Sequence, residues 1–309
     1  MKWRIKLFLK GMAVGAVDLV PGVSGGTIAL ISGIYWQLLD ALSAVPGGIM
    51  LLLRGQVRQA WEKIHAGFLL TLLAGVAVSI FSFSHLISWL LENQPIALWS
   101  FFFGLVMASC VYIARGIRRW NWTRLLAFVL GSAMAWYITV AEPISWGRDL
   151  PSIFLAGAIA ICAMLLPGVS GSFILLLMGL YGYILGAIKS IELSVMVVFA
   201  AGCAFGLVAF ARLLKALLER FHDVTLALLA GFMLGSLNKI WPWRQAVQTL
   251  QQADGTMLVL REEKLWPWQY TQITGESSHL LPGIILAVTA ILLIFSLEYY
   301  AYRVQKKAA

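Results

Sequence analysis

Long apolar blocks separated by short charged stretches run the length of this chain. Six of them, residues 66–91, 96–114, 125–140, 193–213, 224–240 and 281–302, read as full membrane crossings, since a helix of about 20 apolar residues spans the hydrocarbon core. Two further blocks, 11–42 and 151–188, are too long for one crossing and too interrupted for two. Each is broken near its middle, by Leu-Val-Pro-Gly-Val-Ser-Gly-Gly at 19–26 and by Leu-Leu-Pro-Gly-Val-Ser-Gly-Ser at 165–172. Proline lacks the amide hydrogen a helix interior needs, and glycine adopts backbone angles other residues avoid. Pro21-Gly22 and Pro167-Gly168 therefore predict helix breaks, with Ser24 and Ser170 capping helices that restart at the following glycines. The pattern predicts two re-entrant helical hairpins, an interfacial helix at 2–6, a polar stretch at 54–63 and one long polar loop at 244–281.

Composition agrees with this pattern and narrows it. With 61% hydrophobic and 12% charged residues over 309 positions, the chain is too apolar for a soluble domain and reads as an all-α polytopic membrane protein. Its net charge of +9 comes from residues flanking the spans, so it carries topology and is no nucleic-acid footprint. If the broken blocks return to the side they entered from, the 23 Lys and Arg divide 17 to 6 between the two faces. The enrichment of basic residues in cytoplasmic loops then places both termini in the cytoplasm. Residues 1–10 are basic, but the next stretch carries Asp18 and no cleavage pattern, so no signal peptide is expected. Cys110, Cys162 and Cys203 lie in apolar runs without paired spacing and are expected to pack; neither a metal site nor a cofactor is expected.

The two halves resemble each other. Gly33 and Tyr35 match Gly179 and Tyr181 at the 146-residue offset of the Pro-Gly motifs, and residues 104–109 resemble 231–236 at an offset of 127. The chain then reads as a single membrane domain over 1–309. Repeat one is 1–145 and repeat two is 151–309, each a hairpin followed by three transmembrane helices. Three crossings is an odd number, so the second repeat is expected upside down. The broken tips would then meet near the midplane, as in transporters built from inverted-topology repeats.

The residues at the tips suggest an anion site. Helices starting after Ser24 and Ser170 would offer backbone amides, Gly25, Gly26 and Gly171 would let a ligand approach, and Thr27 and Ser172 would add hydroxyls. Together with Pro21, Gly22, Pro167 and Gly168, these form the candidate binding set. The same glycines also suit close helix packing. Asp18, three residues before Pro21, is either a partner for the exposed amides or a coupling group. Arg115, Arg118 and Arg119 at one face, and Lys239 with Arg244 at the other, read as topology anchors or as groups that draw an anionic headgroup inward.

The doubled Pro-Gly-Val-Ser-Gly tips, the span order and the Gly-Phe-Met-Leu-Gly-Ser-Leu-Asn-Lys-Ile-Trp-Pro-Trp stretch at 231–243 resemble the bacterial polyprenyl-phosphate translocases of the PopT type over nearly the whole chain. The resemblance implies a flippase that moves undecaprenyl phosphate from the outer to the inner leaflet of the bacterial inner membrane, recycling the carrier of cell-wall sugars. It also implies opposed hairpins and coupling to protons or another ion. Polyprenyl phosphate and membrane phospholipids are the implied partners, with a homodimer left open. Two other functions compete. An intramembrane polyprenyl-pyrophosphate phosphatase would want carboxylates and an arginine or histidine at the tips, where Asp18 is the one nearby acid. A carrier for a small soluble anion would want the same site without a lateral opening to lipid.

Overall fold

The computed structural model describes residues 2–20, 22–251 and 257–308. Helices α1 (Lys2–Asp18), α2 (Gly25–Ile31), α3 (Tyr35–Leu53), α4 (Val57–Lys63), α5 (Ala66–Asn93), α6 (Pro95–Arg115) and α7 (Trp122–Val140) make up its first part. There follow α8 (Leu150–Leu165), α9 (Gly171–Leu177), α10 (Tyr181–Lys189), α11 (Leu193–Arg220) and α12 (His222–Ser236). An antiparallel ribbon of β1 (Arg244–Gln251) and β2 (Met257–Lys264) then precedes α13 (Pro267–Thr274) and α14 (Leu280–Ala308). Among the described residues α3, α5, α6, α7 and α11 are each long and apolar enough to cross a membrane. The protein is an all-α polytopic membrane protein carrying one small ribbon.

Several elements differ from the sequence expectations. The basic N-terminus is no separate interfacial helix but the first turns of α1, and the arm expected to end at 42 continues as α3 to Leu53, through Pro46. The expected span 224–240 stops as a helix at Ser236 and continues as turns over 237–240, before Pro242 and the extended backbone favoured at Trp241 bar any further helix. The expected polar stretch holds α4, and the expected polar loop folds into β1, β2 and α13. Pro21 lies outside the described residues.

The helices pair through glycine. In the α1–α5 crossing a Cβ on Gly11 would stand 2.3 Å from the Leu72 carbonyl oxygen, and one on Gly75 would stand 2.2 Å from that of Phe8. In the α8–α11 crossing a Cβ on Gly157 would stand 2.5 Å from the Phe199 carbonyl oxygen, and one on Gly202 would stand 2.1 Å from that of Phe154. Gly104 holds α6 against α14, and Gly231 holds α12 against α7, each with no room for a side chain. Without a hydrophobic drive between helices in lipid, backbone-to-backbone contact of this kind supplies the packing.

The broken units double back. Ser32, after α2, accepts a bond from Lys10 Nζ on α1, 2.5 Å. At the end of α9, the Leu177 and Met178 carbonyls accept from the Ile144 and Trp146 amides, which precede α8, at 2.7 and 3.2 Å. The chain then turns by 108° from α9 into α10. A buried cluster including Val20, Val23, Ile28, Trp99, Val106, Met233 and Ile240 packs the first break against α6 and α12.

Candidate functional site at the two helix breaks

The breaks share a backbone conformation. Gly22 and Gly168 both have φ of +88°, the left-handed region where a Cβ is unfavourable, so the same Pro-Gly sequence makes the same turn twice. Beyond that turn they diverge.

At the first break every early amide of α2 is used. Gly25 N–H donates to Asp18 Oδ1 at 2.6 Å, Gly26 N–H to the Ser24 hydroxyl at 3.1 Å, and Thr27 N–H to the Ser24 carbonyl at 2.9 Å. Asp18 thus occupies the place foreseen for a ligand anion. A Cβ on Gly25 would lie 2.5 Å from the Asp18 carboxylate, so this glycine is required by the protein's own packing. Ser24 and Thr27 are buried. With α2 only seven residues long, little helix dipole adds to the tip.

The first break also completes the second. Where α8 ends, its last carbonyls lose their helical partners. Ser24 Oγ donates to the Met164 carbonyl at 3.2 Å, and the Tyr35 hydroxyl to the Leu165 carbonyl at 2.8 Å. Gly168 N–H in turn donates to Thr27 Oγ1 at 3.1 Å. These three bonds join the tips and satisfy backbone that lipid could not.

The second break is more open. Position 164, matching Asp18 at the repeat offset, is Met, and Thr27 is matched by Phe173. Ser170 makes no side-chain cap; its hydroxyl lies 2.9 Å from that of Ser172. A Cβ on Gly171 would meet the Ala160 carbonyl at 2.6 Å, so this glycine too serves packing between α8 and α9. Beside the break lies a narrow cleft lined by Gly22, Gly168, Val169, Ser170 and Phe173, by Ala135, Ile138 and Thr139 of α7, and by Lys239.

Lys239 reaches the cleft because α12 has ended three residues earlier. Its Nζ lies 4.6 Å from the Phe173 ring centroid and 2.9 Å from Glu262 Oε2 on β2. The same carboxylate oxygen is 3.2 Å from an Arg244 guanidinium nitrogen. Arg244 stacks on Trp99 at 3.8 Å and donates to the Lys239 carbonyl at 2.9 Å. Burial alone would raise the Glu262 carboxyl, but Arg244 and Lys239 outweigh it and hold it below the ordinary carboxylate range. Burial and the Lys239 and Arg244 charges hold the neighbouring Lys264 below its usual range. Three cations therefore surround one carboxylate at the mouth of the cleft.

Ser24, Gly26, Thr27, Gly168, Ser170 and Lys239 gather in this region, whereas Arg115, Arg118 and Arg119 do not. Arg115 ends α6, whose other end carries Trp99; sixteen residues of helix, about 24 Å, separate them. There Arg115 stacks on Phe295 of α14 at 4.8 Å. The sequence expectations missed Glu262 and the ribbon that carries it. A signal was present: Asp254-Gly255, a favoured hairpin-turn pair, sits between two stretches that fold as strands.

The undecaprenyl phosphate translocase-like family matches residues 14–258. The chain belongs to that family. Relatives of the chain include a protein of Vibrio cholerae named polyprenyl-phosphate transporter, 42% identical over 298 residues, covering 96% of this chain and 97% of the relative. Another of the same name, from Staphylococcus aureus, is 32% identical over 252 residues, covering 76% of this chain and 85% of the relative. No solved structure matches. The family match takes in both breaks and Lys239 and Arg244, and stops before Glu262.

Proposed function

We propose that this chain transports polyprenyl phosphate, carrying undecaprenyl phosphate from the outer to the inner leaflet of the bacterial inner membrane with its headgroup in the cleft beside the second break. The observation that carries this reading is the joining of two broken helices at one place, with Ser170 and the Lys239 ammonium facing the same narrow cleft. A phosphate monoester carries about −1.5 to −2 charge near neutral pH and several acceptor oxygens, which hydroxyls and an ammonium suit. The names of the two relatives support the lipid over a soluble anion.

The broken units serve as opposed re-entrant hairpins of an inverted repeat, with both termini cytoplasmic. In support, the glycines at the crossings keep the repeat spacing: Gly11 and Gly157 are 146 positions apart, and Gly75 and Gly202, like Gly104 and Gly231, are 127 apart. The pairing of α6 with α14 and of α12 with α7 is what exchange of the halves requires.

The test is reconstitution of the full chain in liposomes with a fluorescent short-chain prenyl phosphate. Transfer between leaflets faster than in empty vesicles is expected, with a labelled prenyl alcohol unaffected by the protein and no inorganic phosphate released. Equal rates with and without the chain would overturn transport, and released phosphate would favour a phosphatase. For topology, cysteines at Glu142 and at Gln252, which lies outside the described residues, should label only from outside; labelling from the cytoplasm alone would reverse the orientation.

A further inference from the structure

Lys239 and Arg244 share the same carboxylate oxygen of Glu262, but they are held differently. Arg244 is held by three contacts: its guanidinium lies 3.8 Å from the centre of the Trp99 ring, and one of its nitrogens donates both to the Lys239 carbonyl at 2.9 Å and to Glu262 at 3.2 Å. Its planar fork is suited to a fixed position. The Lys239 ammonium ends a flexible stem, has Glu262 on one side and the cleft with Phe173 and Ser170 on the other, and stays partly exposed. A lysine is a mobile point charge, and a short displacement would exchange one anion for another.

We propose that Glu262 is a built-in competitor for the ligand phosphate, an internal anion that occupies Lys239 until the headgroup replaces it. The proposal rests on the headgroup reading of the cleft given above. Exchange leaves no charge stranded. Glu262 keeps Arg244 when Lys239 turns to the phosphate, so neither carboxylate nor guanidinium is left buried and unpaired, the situation that makes breaking such pairs costly. The competitor also gives a route for release. A site built from cations alone would bind the phosphate tightly and hold it, whereas a waiting carboxylate takes back Lys239 as the phosphate departs. Glu262 thereby sets affinity against turnover without touching the lipid.

The experiment uses the full chain in detergent, with farnesyl phosphate as probe and farnesol as the uncharged control. Glu262→Gln preserves the shape and removes the charge. It is expected to bind farnesyl phosphate on the order of tenfold more tightly, the scale of one charge-assisted contact, and to transfer it more slowly in liposomes. Lys239→Gln is expected to weaken binding, and in the double variant the gain from Glu262→Gln should vanish, because the carboxylate acts through Lys239. Binding that is unchanged or weaker in Glu262→Gln, when the wild-type chain prefers farnesyl phosphate to farnesol, would overturn the competitor and leave the headgroup site standing. Persistence of the gain in the double variant would overturn it as well. Equal binding of phosphate and alcohol by the wild-type chain would sink the headgroup site and the competitor together. Should Glu262→Gln not fold, Glu262→Asp draws the carboxylate back by one methylene and must still bind farnesyl phosphate more tightly than wild type.

Discussion

Two breaks with almost the same eight residues have become different things. The first is closed on itself: Asp18 and Ser24 take the opening amides of α2, and Ser24 and Thr27 are buried. The second keeps an exposed pair of hydroxyls and faces a cleft that Lys239 enters. The motif itself fixes only the left-handed glycine turn, the same in both. What separates them lies just outside it, at Asp18 against Met164 and at Thr27 against Phe173. A carboxylate seven residues before the first helix start takes its opening amide, whereas the thioether at the matching position of the second cannot accept one.

The sharpest way to break this contrast is to remove the carboxylate. Asp18→Ala should cost about 2–3 kcal/mol of stability, since it strands the Gly25 amide in a buried site, whereas Met164→Ala should cost much less. Thermal unfolding of the two variants in detergent checks this, and equal losses would mean the tips are held alike. Asp18→Asn retains an acceptor, so it should fold and leave the pH dependence of transport unchanged. A shifted pH profile would instead make Asp18 a coupling group.

Next in size is Lys239. Lys239→Gln should weaken farnesyl phosphate binding roughly 10- to 100-fold, by loss of a charged hydrogen bond, while farnesol binding stays the same. Arg115→Gln, at the far end of α6, should leave the affinity within about twofold; a larger loss would move the headgroup site to that face.

A smaller effect distinguishes the two matching tyrosines. Tyr35→Phe removes the donor to the Leu165 carbonyl and should cost about 1–2 kcal/mol in melting experiments. Tyr181→Phe, at the matching position, should cost less, and an equal loss would show that the second broken unit leans on the first no more than the reverse. The smallest expected change is Ser170→Ala, a few-fold loss of farnesyl phosphate affinity with stability nearly unchanged. Ser24→Ala should do the opposite, lowering stability with little effect on affinity.

The class of fold was legible in the sequence because membrane depth enforces long apolar blocks, and the predicted bounds 66–91 and 96–114 agree with α5 and α6 within two residues at each end. Both break points were legible from Pro-Gly alone. The difference between the breaks was not, because it depends on what reaches each tip through space: Tyr35 contacts a carbonyl 130 residues away, and Thr27 an amide 141 residues away. Glu262 was hidden for a similar reason. Its part comes from a ribbon that folds beside Lys239, and one of two adjacent glutamates in a polar stretch carries no sign of that. The glycines at 25 and 171 were read as space for a ligand, but the space is already filled by Asp18 and by the Ala160 carbonyl.

The direction of the bonds between the tips also bears on how the chain is made. The first tip is capped largely from within, through Asp18 to Gly25 and Ser24 to Gly26, contacts seven and two residues apart. These caps need no residue made later. The carbonyls of Met164 and Leu165 are met instead by Ser24 and Tyr35, synthesised about 140 and 130 residues earlier. Chains emerge and fold from the N-terminus. The second broken unit thus carries polar backbone that the earlier half satisfies. A permuted chain beginning at residue 151 would make this dependent unit before its partner exists.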